Sequence, residues 1–435
     1  MSTGTMKAES SGTPLETQLR NCSAPVWIQL GQAFDGENVN KDFHLVYSER
    51  EILYAGEQTP PAELVKSGQQ DADLLLPNHT VMPGLIEAHA HLFLAGAERD
   101  PSVRAETLKL DAEILLAQAE ARLPRLLRAG IIAVRDAGDK DGVGLALQAR
   151  YRSNRGVPMP YVDSPGPAIH HKGRYGKFMG EDMEALGGME AAVADRVQRG
   201  AYRIKLLATG IINFEKGAVT TQPQMSAEEL VAAATAAKGY GKQTMVHCSG
   251  HSGADNCIAA KVDTIEHGFF MDRDQLAQMR DRNMAWVPTF APVQFQLDAP
   301  ECIGWSSQVC ANLRRIIDAH SRLLQAAAEL GVCVIAGSDA GSHGVPHAHG
   351  FFDELEQMER AGYPTLSILQ SATSRSVERL GFDQAMGRLK KGYLPRFILS
   401  DRPLLDSVRH LRSGATVVFD GHIFSGGDDA GQPGM

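Results

Sequence analysis

Several features that would set a chain apart from ordinary globular proteins are missing from this sequence. No apolar run reaches the roughly 20 residues that a membrane-spanning helix needs. Positive charge is not in excess, because Lys and Arg number 43 against 52 Asp and Glu, a formal net charge of −9. Nucleic acids and anionic membranes repel an acidic chain. The N-terminus also lacks the apolar stretch of a secretory signal. We therefore expect neither a nucleic-acid nor a membrane partner.

Cysteine is scarce and carries no recognisable spacing. The six cysteines are scattered along the chain and form no CxxC pair: Cys22, Cys248, Cys257, Cys302, Cys310 and Cys333. A disulfide framework or a zinc-ribbon site would require regular spacing. Reduced thiols are typical of the cytosol, so we expect a cytoplasmic protein.

Composition changes along the chain predict its domains. Residues 1–20 are polar and predict a disordered lead-in, and residues 426–435 predict a flexible tail. Residues 21–80 and 388–425 contain short strand-like runs separated by turn residues. We expect these two segments to pair into one small β-sandwich domain, which would leave residues 81–387 as the main domain.

Short apolar runs alternate with helical patterns through the main domain. The eight runs lie at 81–86, 131–134, 160–162, 202–207, 243–247, 264–267, 285–288 and 333–337. Strands joined by helices predict βαβ units in a parallel sheet. Eight units predict an α/β fold of the (β/α)8 TIM-barrel type, with its active site at the carboxyl ends of the strands. A doubly wound sheet is the alternative, but no GxGxxG follows the first strand.

The run 81–86 leads into His89-Ala90-His91. Side chains at i and i+2 of a strand point to the same face, so both imidazoles would project together from the end of a buried strand. Neutral imidazole is a good donor to zinc and similar divalent ions. An HxH pair alone also fits surface polar residues, so the choice depends on the residues at the ends of the other strands.

Polar side chains lie at the ends of four other predicted strands. Lys205 is on the fourth, His247 on the fifth, His267 on the sixth, and Asp339 comes after the eighth. Each alone is more often a satisfied core or surface residue. Because the carboxyl ends of barrel strands share one face, their joint occurrence favours a single site.

These residues resemble the ligand pattern of the binuclear, metal-dependent branch of the amidohydrolase superfamily. The strings PGLIEAHAH, IKLLATG, IEHG, GSDAG and ATSRSVERLG are similar to those of imidazolonepropionase-like proteins and of Xaa-Pro or Xaa-Arg dipeptidases. The resemblance covers residues 81–380. It is specific for the superfamily and much less so for the substrate.

The resemblance implies two divalent metal ions, with zinc as the expected metal. His89 and His91 would bind one ion with Asp339, and His247 and His267 would bind the other. Lys205 would carry a CO2-derived carbamate that bridges both ions. A hydroxide bridging the ions would attack the scissile carbonyl, with Asp339 as the catalytic general base and acid. The implied function is hydrolysis of a C–N bond in a small amide, carbamate, urea or dipeptide-like substrate.

Two other functions remain as alternatives. A mononuclear deaminase of a heterocycle uses a similar histidine set, but it lacks the lysine and places a Glu shortly after the fifth-strand histidine. Here Lys205 is present, and the segment after His247 reads CSGH. A non-catalytic barrel scaffold would usually have lost one of the ligands.

Substrate contacts are less well defined. The loop 169–181 is rich in basic and aromatic residues. His170 or His171 could contact a substrate carbonyl, and Lys172, Arg174 and Tyr175 could receive a carboxylate.

The loop 290–310 could form a lid over a small-molecule substrate, and the role of the histidine-rich loop 343–349 is left open. We also expect the chain to form a homo-oligomer.

Overall fold

A computed structural model describes residues 14–153, 157–298, 304–412 and 414–425. The chain begins with α1 (Leu15–Arg20), followed by β1 (Val26–Phe34), β2 (Val39–Tyr47), β3 (Ile52–Gly56) and β4 (Leu74–Pro83). The predicted lead-in 1–20 therefore needs correction at its end, because Leu19 of α1 is buried in the core of the strand-rich domain. Residues 1–13 and the predicted tail 426–435 lie outside the described residues.

The eight strands of the main domain are short and almost entirely buried. They are β5 (Leu85–Ala90), β6 (Ile131–Asp136), β7 (Tyr161–Asp163), β8 (Arg203–Leu207), β9 (Gln243–Cys248), β10 (Thr264–His267), β11 (Ala285–Val287) and β12 (Cys333–Val334). All the pairings within the two groups β5–β7 and β8–β12 are parallel. Parallel strands covered on both faces are apolar along their whole length, which explains their continuous apolar runs.

Backbone hydrogen bonds join the two groups of strands. The residue Ile169, beyond the end of β7, accepts a bond from Leu207 and donates one to Lys205. The segment after β12 bonds to β5, since Ala88 N–H donates to the Ala336 carbonyl at 3.1 Å and Asp339 N–H to the His89 carbonyl at 2.7 Å. The predicted α/β barrel fold is therefore confirmed.

Helices connect the strands and cover the barrel. They are α2 (Pro101–Thr107), α3 (Ala112–Arg128), α4 (Val143–Ser153), α5 (Met189–Gln198), α6 (Ala227–Gly239), α7 (His251–Ala260), α8 (Arg273–Asp281), α9 (Ala291–Asp298), α10 (Ser307–Leu330), α11 (His349–Arg360), α12 (Thr365–Ser371) and α13 (Ser374–Leu380). Capping boxes start two of them, Ser226 with Glu229 at α6 and Asp272 with Gln275 at α8. Within the part of the chain that the structure describes, none of the helices combines the length and apolar character that crossing a membrane requires.

Both terminal segments contribute to one sheet. The chain ends with β13 (Arg396–Ser400), β14 (Thr416–Phe419) and β15 (His422–Ser425), and the strand order is β15-β14-β13-β4-β1-β2-β3. Tyr47 on β2 and Phe397 on β13 have ring centroids 5.1 Å apart. Two strands separate β2 from β13 in the sheet, so this contact requires the sheet to curl around its core. The expected strand-rich terminal domain is present.

The passage from the terminal sheet into the barrel lies later than the sequence indicated. Residues 81–83 belong to β4, where Val81 pairs with Leu399, and the barrel strand starts at Leu85. The apolar run 81–86 is thus shared between two domains. Periodicity could not reveal the division, because both strands are buried.

Candidate active site

The six predicted metal ligands surround one cavity at the carboxyl ends of the barrel strands. The cavity has a volume of about 240 Å³. Its border includes all six residues: His89, His91, Lys205, His247, His267 and Asp339. Lys205 lies in the middle of β8, not at its end, and is 2% exposed. The separate strands thus deliver their polar side chains to one place.

The histidine nitrogens that face away from the centre are held by hydrogen bonds. His89 Nδ1–H donates to Glu266 Oε2 at 2.6 Å, and His91 Nδ1–H donates to the Gly138 carbonyl at 3.0 Å. His267 Nδ1 lies 2.7 Å from Thr289 Oγ1, which donates its own proton to the Pro288 carbonyl. A neutral imidazole held in this way keeps Nε2 unprotonated.

His247 is oriented the other way. Its Nε2 lies 3.4 Å from the Gly210 carbonyl, which leaves Nδ1 without a proton when the ring is neutral. The ring centroids of His247 and His267 are 4.7 Å apart. Burial, and then the charge of Lys205, lower the pKa of His91 and of His247 to about 3. Both rings are therefore neutral near pH 7 and able to donate a lone pair to a cation.

Two buried polar atoms face the centre of the site without a hydrogen-bond partner among the described residues. They are His89 Nε2 and Asp339 Oδ1, which lie 3.6 Å apart. His91 Nε2 is 3.5 Å from the same oxygen. Ligand atoms of His89, His267 and Asp339 all lie within 4.8 Å of one another. Buried polar atoms are normally satisfied, so this set fits a divalent cation bound between them.

The backbone at these strand ends is strained. His267 has φ 71°, Asp339 has φ 58° and Thr289 has φ 53°, all in the left-handed region that residues other than glycine rarely adopt. Gly337 allows the segment leading to Asp339 to lie against β5, because a Cβ there would come 2.8 Å from the His89 nitrogen. Such strain is concentrated at functional sites, where surrounding contacts hold it.

Three buried charged residues support the ligands, and the sequence reasoning did not identify them. Arg135 Nη2 donates to both oxygens of Glu266, at 3.0 and 2.8 Å, so that the carboxylate receiving the His89 proton is itself fixed. Glu87 accepts bonds from the Ser338 hydroxyl at 2.6 Å and from the His89 amide at 3.0 Å. Burial raises the pKa of Glu87 to about 7. The available signal was a charged residue inside an otherwise apolar strand.

The residues predicted to contact the substrate are placed less uniformly. Tyr175 borders the cavity, with its ring centroid 5.3 Å from that of His247. His170 is buried between the carbonyls of His171 and Gly180, each 3.0 Å from a ring nitrogen. His171 and Arg174 line a separate surface cleft together with Lys172. The structure therefore does not bring His170, His171 or Arg174 to the cavity, because each has other partners.

Two loops of undefined role also reach the cavity. The segment 290–310 contains α9, from which Pro292, Val293 and Gln296 border the cavity, while residues 299–303 lie outside the described residues. From the loop 343–349, His343 borders the cavity, whereas His347 Nε2 lies 2.9 Å from the Leu94 carbonyl. The segment expected to form a lid is thus partly helical and lies beside the site.

Fold and site together define an α/β-barrel protein with a candidate metal centre at the carboxyl ends of its strands. The family model described as "Amidohydrolase family" matches residues 80–424. The chain belongs to the amidohydrolase family, as its sequence motifs predicted.

Individual relatives are more distant. An uncharacterized protein of Mycobacterium bovis is 26% identical over 302 residues, which are 69% of this chain and 74% of that protein. The crystal structure of a Xaa-Pro dipeptidase with bound methionine has a TM-score of 0.76 at 24% identity, covering 92% of this chain and 99% of that one. That of A. niger ochratoxinase has a TM-score of 0.77 at 21% identity, covering 93% and 98%. At these identities, the two structures establish the fold.

Proposed function

We propose that this protein is a metal-dependent hydrolase that cleaves a C–N bond in a small amide, carbamate, urea or dipeptide-like substrate. The observation that carries the proposal is the set of inward-facing ligand atoms from His89, His267 and Asp339, within 4.8 Å of one another. Membership of the amidohydrolase family supports it. The two structural neighbours, a Xaa-Pro dipeptidase and an ochratoxinase, agree with a hydrolase but do not define the substrate.

We assign two divalent ions, with zinc expected, to two groups of side chains. His89, His91 and Asp339 would hold one ion, and His247 and His267 the other. When bound, such ions lower the pKa of water and polarise a carbonyl oxygen. The neutral state of the imidazoles and the unpaired atoms of His89 and Asp339 suit this assignment.

Lys205 is proposed to carry a carbamate that both ions share. An ammonium cannot bind a cation, whereas a carbamate offers two anionic oxygens. Burial lowers the pKa of Lys205 to about 8, so that a fraction of the amine is neutral near pH 7 and can react with CO2. The barrel wall keeps the side chain buried beside the histidines, where bulk water does not compete for the amine.

Asp339 is the proposed general base and acid. Burial raises its pKa to about 6, near the working range of a group that both accepts and donates a proton. Asp339 would take a proton from the attacking water as its oxygen bonds to the carbonyl carbon. It would then give that proton to the leaving nitrogen as the C–N bond breaks. Asp339 N–H bonds to the His89 carbonyl, which fixes the carboxylate beside the ligands.

Metal analysis and a substrate screen test the proposal together. We expect about two divalent ions per chain and release of an amine from members of a panel of N-acyl amino acids, dipeptides and aryl ureas. A folded chain that binds no metal would contradict the proposal and favour the scaffold. Release of ammonia from nucleobases, with no turnover of the panel, would favour the deaminase.

A further inference from the structure

One partly buried cation at the central cavity has no part in the proposed reaction. Arg104 lies in α2 and borders the cavity with His91, Tyr175 and Asp339. Its Nη1 is buried and has no hydrogen-bond partner among the described residues. Asp339 Oδ1 is also without a hydrogen bond there, so it does not satisfy this N–H group. The site therefore contains a guanidinium donor that the protein leaves unpaired.

A guanidinium N–H group that lacks an acceptor and borders a cavity is suited to bind an anionic ligand. Arginine stays protonated in proteins, and burying one of its N–H groups without an acceptor is costly. Burial lowers the pKa of Arg104, with the negative charge of Asp339 acting in the opposite direction. The planar fork of the side chain matches the two oxygens of a carboxylate. A ligand can supply the acceptor that the fold does not.

The remaining border of the cavity is largely apolar. It includes the aromatic rings of Phe178, Phe214 and Phe269 and the aliphatic side chains of Leu207 and Ile212. These side chains suit a bulky apolar group on the ligand. Among the described residues at the border, the two cationic ones are Arg104 and Lys205. Because the proposed function assigns Lys205 to the metal centre, Arg104 is the one left to bind an anionic group.

We propose that Arg104 binds the carboxylate of the substrate, which is therefore an acid that carries a bulky apolar group, such as an N-acyl amino acid or a dipeptide. This rests on the proposed function in taking the cavity as the substrate site. It selects among the substrate classes given above, since a neutral urea offers Arg104 no anion. It also assigns the carboxylate contact to Arg104 on α2, whereas the sequence indicated Lys172 and Arg174 in the loop 169–181.

Binding of two uncleavable probes tests the proposal on the metal-loaded protein. 3-Phenylpropanoate and the methyl ketone 4-phenylbutan-2-one share an apolar ring and differ in charge, and neither contains a C–N bond. Titration calorimetry with both is carried out on the wild type, Arg104→Gln, Arg104→Lys and the control Lys109→Gln. Lys109 follows α2 on the same segment, has an exposed side chain and is not at the cavity.

We expect the wild type and Lys109→Gln to bind the acid at least about tenfold more tightly than the ketone. Arg104→Gln should lose this preference and keep its affinity for the ketone. Arg104→Lys should keep part of the preference, because it retains the charge without the planar fork, and it serves as the test if Arg104→Gln does not fold.

Three results would overturn the proposal. They are no preference for the acid in the wild type, an undiminished preference in the folded Arg104 variants, and an equal loss of affinity for both probes. The second would mean that another group holds the carboxylate, and the third that Arg104 only shapes the cavity. The probes undergo no reaction, so a failure of the hydrolase assignment would appear separately, in the metal analysis and the substrate screen.

Discussion

Two clusters of histidine and carboxylate side chains lie at this end of the barrel, and they differ in whether their polar atoms have partners. In the central cavity, His89 Nε2 and Asp339 Oδ1 have no hydrogen bond within the described chain. In the neighbouring cleft, His171 lies between two carboxylates, 2.6 Å from Glu184 and 3.0 Å from Glu229. The first cluster is buried and keeps these two atoms unpaired, whereas His171 in the second is partly exposed and paired on both ring nitrogens.

The presence of unpaired buried polar atoms identifies the active site better than the volume of the cavity does. The cleft has a volume of about 690 Å³ and the central cavity about 240 Å³. In the cleft, Arg174 Nη2 donates to the Gln222 carbonyl at 2.6 Å and His171 is already paired, so little bonding capacity remains for a ligand. The central cavity keeps unpaired donors and acceptors on buried atoms, and there each interaction with a ligand is stronger.

The largest effect should follow from removing Lys205, the proposed shared ligand of the two ions. We expect Lys205→Ala to reduce the metal content from about two ions per chain to one or fewer. The hydrolytic rate should fall by at least about 100-fold, more than loss of a group that only orients a ligand. Metal analysis of the purified protein and amine release on the best substrate of the panel measure both quantities.

Lys238→Ala is the matched control, because Lys238 is exposed on α6 and remote from the cavity border. It should keep both ions and the full rate. If Lys205→Ala also kept two ions at full activity, the carbamate bridge would have to be abandoned, even though the histidine cluster could still bind metal.

A second substitution compares the two regions directly. Glu266→Gln leaves Arg135 buried without its carboxylate, which should lower the free energy of unfolding of the metal-free protein by about 3 to 5 kcal/mol. His89 also loses its charged partner, so metal affinity should fall by about 10- to 100-fold. Urea denaturation and metal titration provide the measurements.

Glu184→Gln is the same change in the cleft, where the carboxylate is 45% exposed. We expect it to alter the unfolding free energy by less than about 1 kcal/mol. Equal effects of the two substitutions on stability and metal affinity would mean that the buried charges around His89 are no more important than those on the surface.

The barrel and the ligands could be predicted because their signals are local. Continuous apolar runs such as 131–134 reveal buried parallel strands, and polar residues in or just after five of the eight runs mark the shared face. The ligand roles of these residues stay predictions, although the structure brings the side chains together. The strand β5 was harder to delimit, because β4 runs into it through Gly84 without a polar break.

Partnerships between distant residues could not be predicted in the same way. His171 and Arg174 are residues of the kind that bind ligands in loops. Only the fold shows that they already bond to a carboxylate and to a backbone carbonyl. Arg104 follows a polar stretch that resembles ordinary helix surface, and only the fold places it at the cavity. Whether a polar group is satisfied depends on neighbours far away in sequence.

A third prediction concerns Glu354, a buried acid on α11 that holds α9 beside the cavity. Its Oε2 accepts the Ala291 N–H at 2.9 Å, while Oε1 has no partner in the described chain. Burial raises the pKa of Glu354 to about 8 from an ordinary value of 4.5. The unfolded chain therefore loses this proton first, so ionisation of Glu354 reduces stability as the pH rises from about 4.5 to about 8.

Glu354→Gln keeps an acceptor for Ala291 and removes this ionisation. We expect the metal-free variant to match the wild type near pH 4.5 and to be more stable by about 1 to 3 kcal/mol at pH 8, as measured by urea denaturation across this range. Glu329→Gln, on the exposed side of α10, should show no such trend. A stability difference that does not change with pH would contradict the raised pKa.

The smallest effect is expected at His171, the satisfied histidine of the cleft. Burial tends to lower the pKa of His171, but the hydrogen bond to Glu184 and the charge of Glu229 outweigh it and raise the pKa. A raised histidine pKa gives stability that is fully present below the unfolded value of about 6.5 and is lost as the pH rises through the folded value. His171→Gln should therefore destabilise the protein by up to about 1 kcal/mol near pH 5.5 and hardly at all above pH 9, since the carboxylates are partly exposed. Urea denaturation at the two pH values measures this, and metal content and hydrolytic rate should stay at the wild-type level.

A loss of metal or of rate in His171→Gln would mean that the cleft belongs to the active site. The contrast between satisfied and unsatisfied histidines would then no longer separate structural from functional groups.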